Sequence, residues 1–321
     1  MTAPRSALGA PRAELEALVA GVRGALRERG ESPGPDWVEE AVAGLSTGSL
    51  SGWYFPEGDP GGAGIAIGSL RRGILSAHVH VEGGPDPPGR AIELLTALRA
   101  ELFPRAHRLV AGFTGLSREG EEEIGRRLGG RGSAALVTRI AMERPIGERD
   151  AEPLGGTPAG TVHMAIRSVP REALAELDGQ AFAGTPDEQL VGRDRTEIRR
   201  NLDEILEGRF GRVIEEASTT LVTVPPGELV AGLLTAECNP RQAIFLDLMV
   251  SPAHRRRGYG RYLLRWGFRA LWSLGYSSAR LWVTEANRSA RSLYEAEGFR
   301  PTATALVYRE TGGSDGQPQS G

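Results

Sequence analysis

Lysine is absent: all 38 basic residues of the 321-residue chain are arginine, set against 41 acidic ones for a net charge of -3. We take the missing lysine as a bias of GC-rich coding. The near-neutral balance excludes a broad basic field, so binding to DNA or RNA is not expected. Cysteine occurs once, at Cys238, which excludes an intramolecular disulfide and a cysteine-based zinc site. A lone thiol reads more simply as a half-buried filler than as a nucleophile. No apolar run approaches the ~20 residues that cross a bilayer, and residues 1–30 lack the basic start and continuous apolar stretch of a secretory signal. A cytoplasmic chain with no membrane partner is expected, as a monomer or weak homodimer.

What is present is ordinary for a globular protein, 40% hydrophobic and 25% charged, with a length that suits two domains. Residues 1–10 and 311–321 are rich in small and polar types and are expected to be loose, the latter a disordered tail. Prolines and glycines crowd Arg144 to Gly160, predicting a linker at 147–160 between a domain at 1–146 and another at 161–310. Beyond it, Val162–Val169 alternates as a strand, and 171–182 and 195–206 have helical apolar spacing. A hairpin over 220–234, a strand at 243–250, a helix ending near Gly275, a strand at 279–284, a helix at 289–297 and a strand at 303–308 follow. The first half repeats parts of this order. Residues 73–131 lie over 242–300 with Gly89 on Gly258 and Gly129 on Gly298, although few positions are identical.

The segment from Val250 to Arg261, Val-Ser-Pro-Ala-His-Arg-Arg-Arg-Gly-Tyr-Gly-Arg, joins a predicted strand to a predicted helix. A helix start exposes N–H groups that have no partner within the helix, and the dipole adds positive potential there. Gly258 and Gly260 admit close approach of a phosphate, and Arg255, Arg256 and Arg257 add charge. By itself the segment fits equally well an ordinary tight turn with a solvated basic patch.

The loop resembles the pyrophosphate motif of Gcn5-related N-acetyltransferases (GNAT), Arg/Gln-x-x-Gly-x-Gly/Ala, at Arg255, Gly258 and Gly260. Asn287, Ala290, Leu293, Tyr294, Gly298 and Phe299 match a second signature of that family, in the expected order. The resemblance implies an α/β fold of two tandem GNAT-like domains, each a mixed, mostly antiparallel sheet flanked by helices. It implies acetyl-CoA as co-substrate without a metal, and a small-molecule primary amine as acceptor. Leu248, Met249 and Val250 would offer backbone groups to pantetheine from a strand that splays from its neighbour. Residues Arg255 to Arg261, Tyr259 among them, would wrap the pyrophosphate. Asn287 and Ala290 would contact the cofactor arm, and Tyr294 would protonate the departing thiolate, since a phenol stays protonated at neutral pH.

The base is less determined. Asp247, Glu237 and Glu285 are the candidates, with Asp247 preferred; some relatives carry an acid where Ile244 and Trp282 stand. In the first half Asp86, Pro87 and Pro88 lie over the cradle, where a carboxylate repels phosphate and prolines lack donors, and Gly125 takes the place of Tyr294. That half is expected to be a degenerate unit that does not bind CoA. His78 and His80 alternate on its strand, and satisfied histidines are a simpler reading than a metal site. The tandem order resembles that of mycothiol synthase and its relatives. The expected activity is N-acetyl transfer; a non-catalytic acyl-CoA-binding module is the alternative.

Overall fold

The computed structural model describes residues 2–28, 36–71, 74–106, 108–128, 134–191, 195–225 and 227–311. The chain runs β1 (Arg5–Ser6), α1 (Arg12–Glu28), α2 (Trp37–Thr47), β2 (Ser51–Phe55), β3 (Ala63–Arg71), β4 (Ile74–Glu82), α3 (Pro87–Leu102), β5 (Arg108–Thr114), α4 (Arg118–Leu128) and β6 (Ala134–Pro145). It continues through β7 (Thr161–Ala165), α5 (Arg171–Phe182), α6 (Glu188–Val191), α7 (Arg195–Leu206), β8 (Thr219–Thr223), β9 (Leu229–Asn239), β10 (Gln242–Val250), α8 (Tyr259–Ser273), β11 (Ser278–Thr284), α9 (Arg288–Ala296) and β12 (Arg300–Thr311).

These elements divide into two compact units, residues 1–139 with 303–321, and residues 140–302. The division differs from the boundaries expected at the 147–160 linker. Two long strands explain the difference: β6 begins in the first unit and ends in the second, and β12 begins in the second and finishes in the first. The proline- and glycine-rich stretch therefore belongs to the second unit. The start of the chain is also better anchored than its composition suggests, since Arg5 and Ser6 pair with Tyr54 and Trp53 and Ala7 is buried. Of the expected tail, residues 312–321 lie outside the described residues.

In the first unit, β1 to β4 form an antiparallel run, β4 and β5 pair in parallel, and β12 lies antiparallel to β5. Leu94, Leu95 and Leu98 of α3 pack on one face of this sheet with Leu75, Val79 and Phe113. Leu15, Val19 and Val22 of α1, at helical spacing, pack on the other with Ile65 and Ile67.

The second unit repeats the plan with strand order β6-β11-β10-β9-β8-β7, in which β10 and β11 are parallel and β7 to β10 antiparallel. One face is covered by α8, whose Leu263, Leu264, Phe268 and Leu271 share one side of the helix and bury against Phe245 and Leu281. The other is covered by α5 and α7 through Leu174, Leu177, Ile198 and Leu202, packed with Leu234 and Met249. Each unit is thus a mixed, mostly antiparallel sheet with helices on both faces.

Candidate functional site

The site begins where two parallel strands part. In the second unit β10 and β11 pair from Gln242↔Ser278 to Phe245↔Leu281 and no further, although both strands continue. A bulge in β10 between Phe245 and Asp247 interrupts its register with β9, which then resumes through Val250↔Ala231. Bulges bend and twist a strand, and this one lies where the separation starts. Residues 246–250 therefore present an edge toward β11 that no strand occupies, which is the splay implied for the strand holding Leu248, Met249 and Val250.

At the end of the splay stands the helix start. Gly258 takes φ 85° and Arg256 takes φ 64°. For arginine the left-handed conformation costs about 1–2 kcal/mol, a strain that such loops carry at ligand sites. In the first turn of α8 the N–H groups of Tyr259, Gly260 and Arg261 precede the first helical acceptor, and Tyr262 N–H is the first to reach one, at Gly258 O (2.9 Å). A side chain on Gly260 would extend from a Cβ 3.2 Å from Leu293 Cδ2 and 3.8 Å from Leu248 Cδ2 and Val250 Cγ2. The bare backbone at 260 thus borders the space between the end of β10 and α9.

The side chains share the work differently from the simple wrap of Arg255 to Arg261. Arg256 and Arg257 are exposed, and among the described residues no ion pair or side-chain hydrogen bond is found for either. Arg255 donates from Nη2 to Ala181 O (2.8 Å) at the end of α5. Arg261 pairs with the buried Glu297 (2.8 Å), which also takes Arg265 (2.9 Å). The rings and chains of Tyr259 and Met249 are buried, so those residues have only backbone to offer.

Asn287 caps α9, its Oδ1 accepting from Ala290 N–H (3.1 Å) while its Nδ2 donates to Asp187 Oδ2 (2.6 Å). Both ends of the amide are spent, so Asn287 holds the turn in place. Tyr294 lies one position beyond Leu293, half-buried against the α8 core, its ring edge-on to that of Phe299 at 5.9 Å.

The candidate bases separate cleanly. Glu237 sits opposite Ala243, at the far end of β10 from the cradle, and is bound to Arg212 (2.8 Å) beside a cavity of about 430 Å³ that Tyr276 also lines. Glu285 is exposed on the β11–α9 turn. Asp247 is half-buried on the α5 side of β10, the face of Met249, while Leu248 and Val250 pack toward α8. Across from it α5 presents Asp178, only 1% exposed, with a buried Oδ1 that finds no partner among the described residues. Burial first, and the charge of Asp247 second, push the Asp178 carboxyl well above the usual carboxylate range. Both causes favour the protonated form of Asp178. Sequence reading passed over Asp178, yet a signal was there: it falls on the buried stripe of Leu174, Ala175, Leu177 and Ala181, where an acid is out of place.

The first unit departs at each of these points. Its parallel strands stay paired through seven positions, from Ile74↔Arg108 to His80↔Thr114, so no splay opens. His80 Nδ1 joins Thr114 Oγ1 across the strands (2.9 Å), and Nε2 meets Glu82 (2.8 Å). Asp86 caps α3 by accepting from Gly89 N–H (3.0 Å), with Pro87 and Pro88 opening the helix. Arg127, and then that N–H, hold the Asp86 carboxyl below its ordinary value. A carboxylate of the chain itself sits where the second unit offers donors.

Residues 186–299 match the acetyltransferase (GNAT) family model. The match lies wholly within the second unit, which carries an acetyltransferase (GNAT) family domain. A mycothiol acetyltransferase of Thermomonospora curvata is 25% identical over 267 residues, 75% of this chain and 80% of that one. An uncharacterized N-acetyltransferase of Bacillus subtilis, YfmK, is 27% identical over 133 residues, 39% of this chain and 87% of its own. In fold, the chain is similar to a Gcn5-related N-acetyltransferase from Sphaerobacter thermophilus, with a TM-score of 0.62, 17% identity and coverage of 96% and 95% of the two chains. It is also similar to a tandem GNAT protein from the clavulanic acid biosynthesis pathway, with a TM-score of 0.55, 19% identity and coverage of 98% and 99%. No helix of the described residues is long and apolar enough to cross a membrane.

Proposed function

We propose that the second unit transfers an acetyl group from acetyl-CoA to a primary amine of a small molecule, and that the first unit binds no CoA. The observation that carries the reading is the opening of β10 from β11 directly ahead of a glycine-bearing helix start. N–H groups of that first turn, with Arg256 and Arg257, hold the diphosphate by charge-assisted bonds. The open edge of 246–250 supplies backbone partners to the amide-bearing pantetheine arm.

Each face of β10 then has its own task. Tyr294, on the α8 and α9 side, donates its proton as the sulfur gains charge. Asp247, on the α5 side, accepts the proton that the amine must lose to attack, while Asp178 retains its own and lets the pair carry one negative charge. The pair provides carboxyl groups where Ile244 and Trp282 provide none. This arrangement favours an enzyme over the non-catalytic acyl-CoA-binding reading.

The test is thiol release from acetyl-CoA by the full chain against a panel of primary amines, beside calorimetry of acetyl-CoA binding. Amine-dependent release is expected. Tight binding with no release from any amine would establish the non-catalytic module instead.

A further inference from the structure

Seven residues at the end of α5 and just beyond it, 181–187, are tied at both ends to the proposed cofactor site. At one end the Ala181 carbonyl accepts from Arg255, on the loop that follows β10. At the other, the buried Asp187 gathers the end of β11 and the start of α9. Its Oδ1 accepts from Thr284 Oγ1 (2.6 Å) and Thr284 N–H (3.2 Å), and its Oδ2 accepts from Asn287 Nδ2 (2.6 Å). The segment is thus fastened to the loop beyond one splayed strand and to the end of the other. Between these anchors its own bonds are short-range turns, Ala183 N–H to Gly179 O and Thr185 N–H to Phe182 O. It begins within the helix that carries Asp178, on the face of β10 where Asp247 would receive the amine's proton.

We propose that Asp187 is a positioning residue that couples cofactor occupancy to the acceptor side, by fixing the 181–187 segment to the β11–α9 turn. The inference rests on the proposed function, because only that reading makes the α5 side the acceptor side. Its chemistry is specific. Asn287 cannot turn its amide without losing its bond to Asp187 and its cap on Ala290 together, so the carboxylate, the turn and the helix start move as one piece. A diphosphate at the cradle steadies the loop that carries Arg255 and the α9 start that Asn287 caps, and Asp187 passes that order to the segment.

The experiment is amide hydrogen exchange on the full chain, with and without acetyl-CoA at a concentration that saturates each variant by calorimetry. In the parent, acetyl-CoA is expected to slow exchange in 181–187 by about fivefold or more, the lower range of a coupling between sites. Asp187→Asn keeps an acceptor for Thr284 but sets a donor against the Asn287 Nδ2. It should abolish that protection while the cradle at 250–262 stays protected. Thr284→Val should lose it in part and Thr284→Ser, which restores the hydroxyl, should keep it; this pair carries the test if Asp187→Asn does not fold. A merely structural clamp would raise exchange equally with and without acetyl-CoA. Protection of 181–187 that survives in both Asp187→Asn and Thr284→Val, or a parent that protects 250–262 and leaves 181–187 unchanged, overturns the proposal. A parent that neither binds acetyl-CoA nor protects 250–262 is the distinct failure of the functional reading, and it removes this inference as well.

Discussion

Substitution at Gly260 separates the fold from the site. An alanine Cβ there comes 3.2 Å from Leu293 Cδ2, the end of a flexible side chain that must give by a few tenths of an ångström. Helix propensity offsets this by up to about 1 kcal/mol, so Gly260→Ala should leave stability within about 1 kcal/mol of the parent and weaken acetyl-CoA binding tenfold or less. Glutamate is also compatible with the first turn of a helix, where its charge contributes roughly 0.3–1 kcal/mol. Its added atoms, however, enter the space bordered by Leu248, Val250 and Leu293 and place a carboxylate beside the diphosphate. Loss of two charge-assisted hydrogen bonds at about 1.5–3 kcal/mol each amounts to roughly 3–6 kcal/mol, a 10²- to 10⁴-fold rise in Kd. Calorimetry with acetyl-CoA gives the affinity, and circular dichroism with thermal melting verifies the fold. A folded Gly260→Glu chain that binds acetyl-CoA as the parent does would refute the assignment of this helix start to the cofactor.

Three further outcomes are expected. Titration of the full chain should reach one acetyl-CoA per chain, and Gly260→Glu should remove all of it; a second site that persists in the variant would contradict the reading of the first unit. Tyr294→Phe keeps the ring and loses the proton, so kcat should fall roughly 10- to 1000-fold with little change in acetyl-CoA affinity; full turnover where chemistry limits the rate would make Tyr294 a packing residue. Asp178 has a native pKa raised above the ~3.9 of a free carboxyl. The native state therefore holds the extra proton, and stability falls as pH rises from about 4 through the raised value, by at most roughly 1.4 kcal/mol per pH unit. Asp178→Asn should flatten that fall in urea midpoints measured across the range, and superimposable profiles would show that the Asp178 carboxyl does not titrate in this way.

Most elements were legible because their apolar periods are strong, as in α8 and β10, and the strand-to-helix turn between them because Gly258 and Gly260 punctuate it. The unit boundary was not. Whether residues 140–145 or 303–311 belong to one sheet or another depends on which strands they meet, and alternation is the same in either. The partners of the cradle were hidden for a similar reason. Thr-Pro-Asp-Glu at 185–188 reads as a local helix cap, while Asp187 serves a threonine and an asparagine nearly a hundred residues later. Arg255 and Arg261 look alike in sequence, and only the packed structure gives them to Ala181 and Glu297.

The path of β12 bears on how the chain is made. Residues 306–311 pair with β5 at 108–113, so the first unit lacks one of its strands until about 190 residues beyond β5 have been translated. At typical rates of roughly 5–20 residues per second, the edge of β5 waits on the order of ten to forty seconds on the ribosome. An open strand edge invites pairing with other nascent chains. Premature termination just before β12 would therefore damage the unit synthesised first.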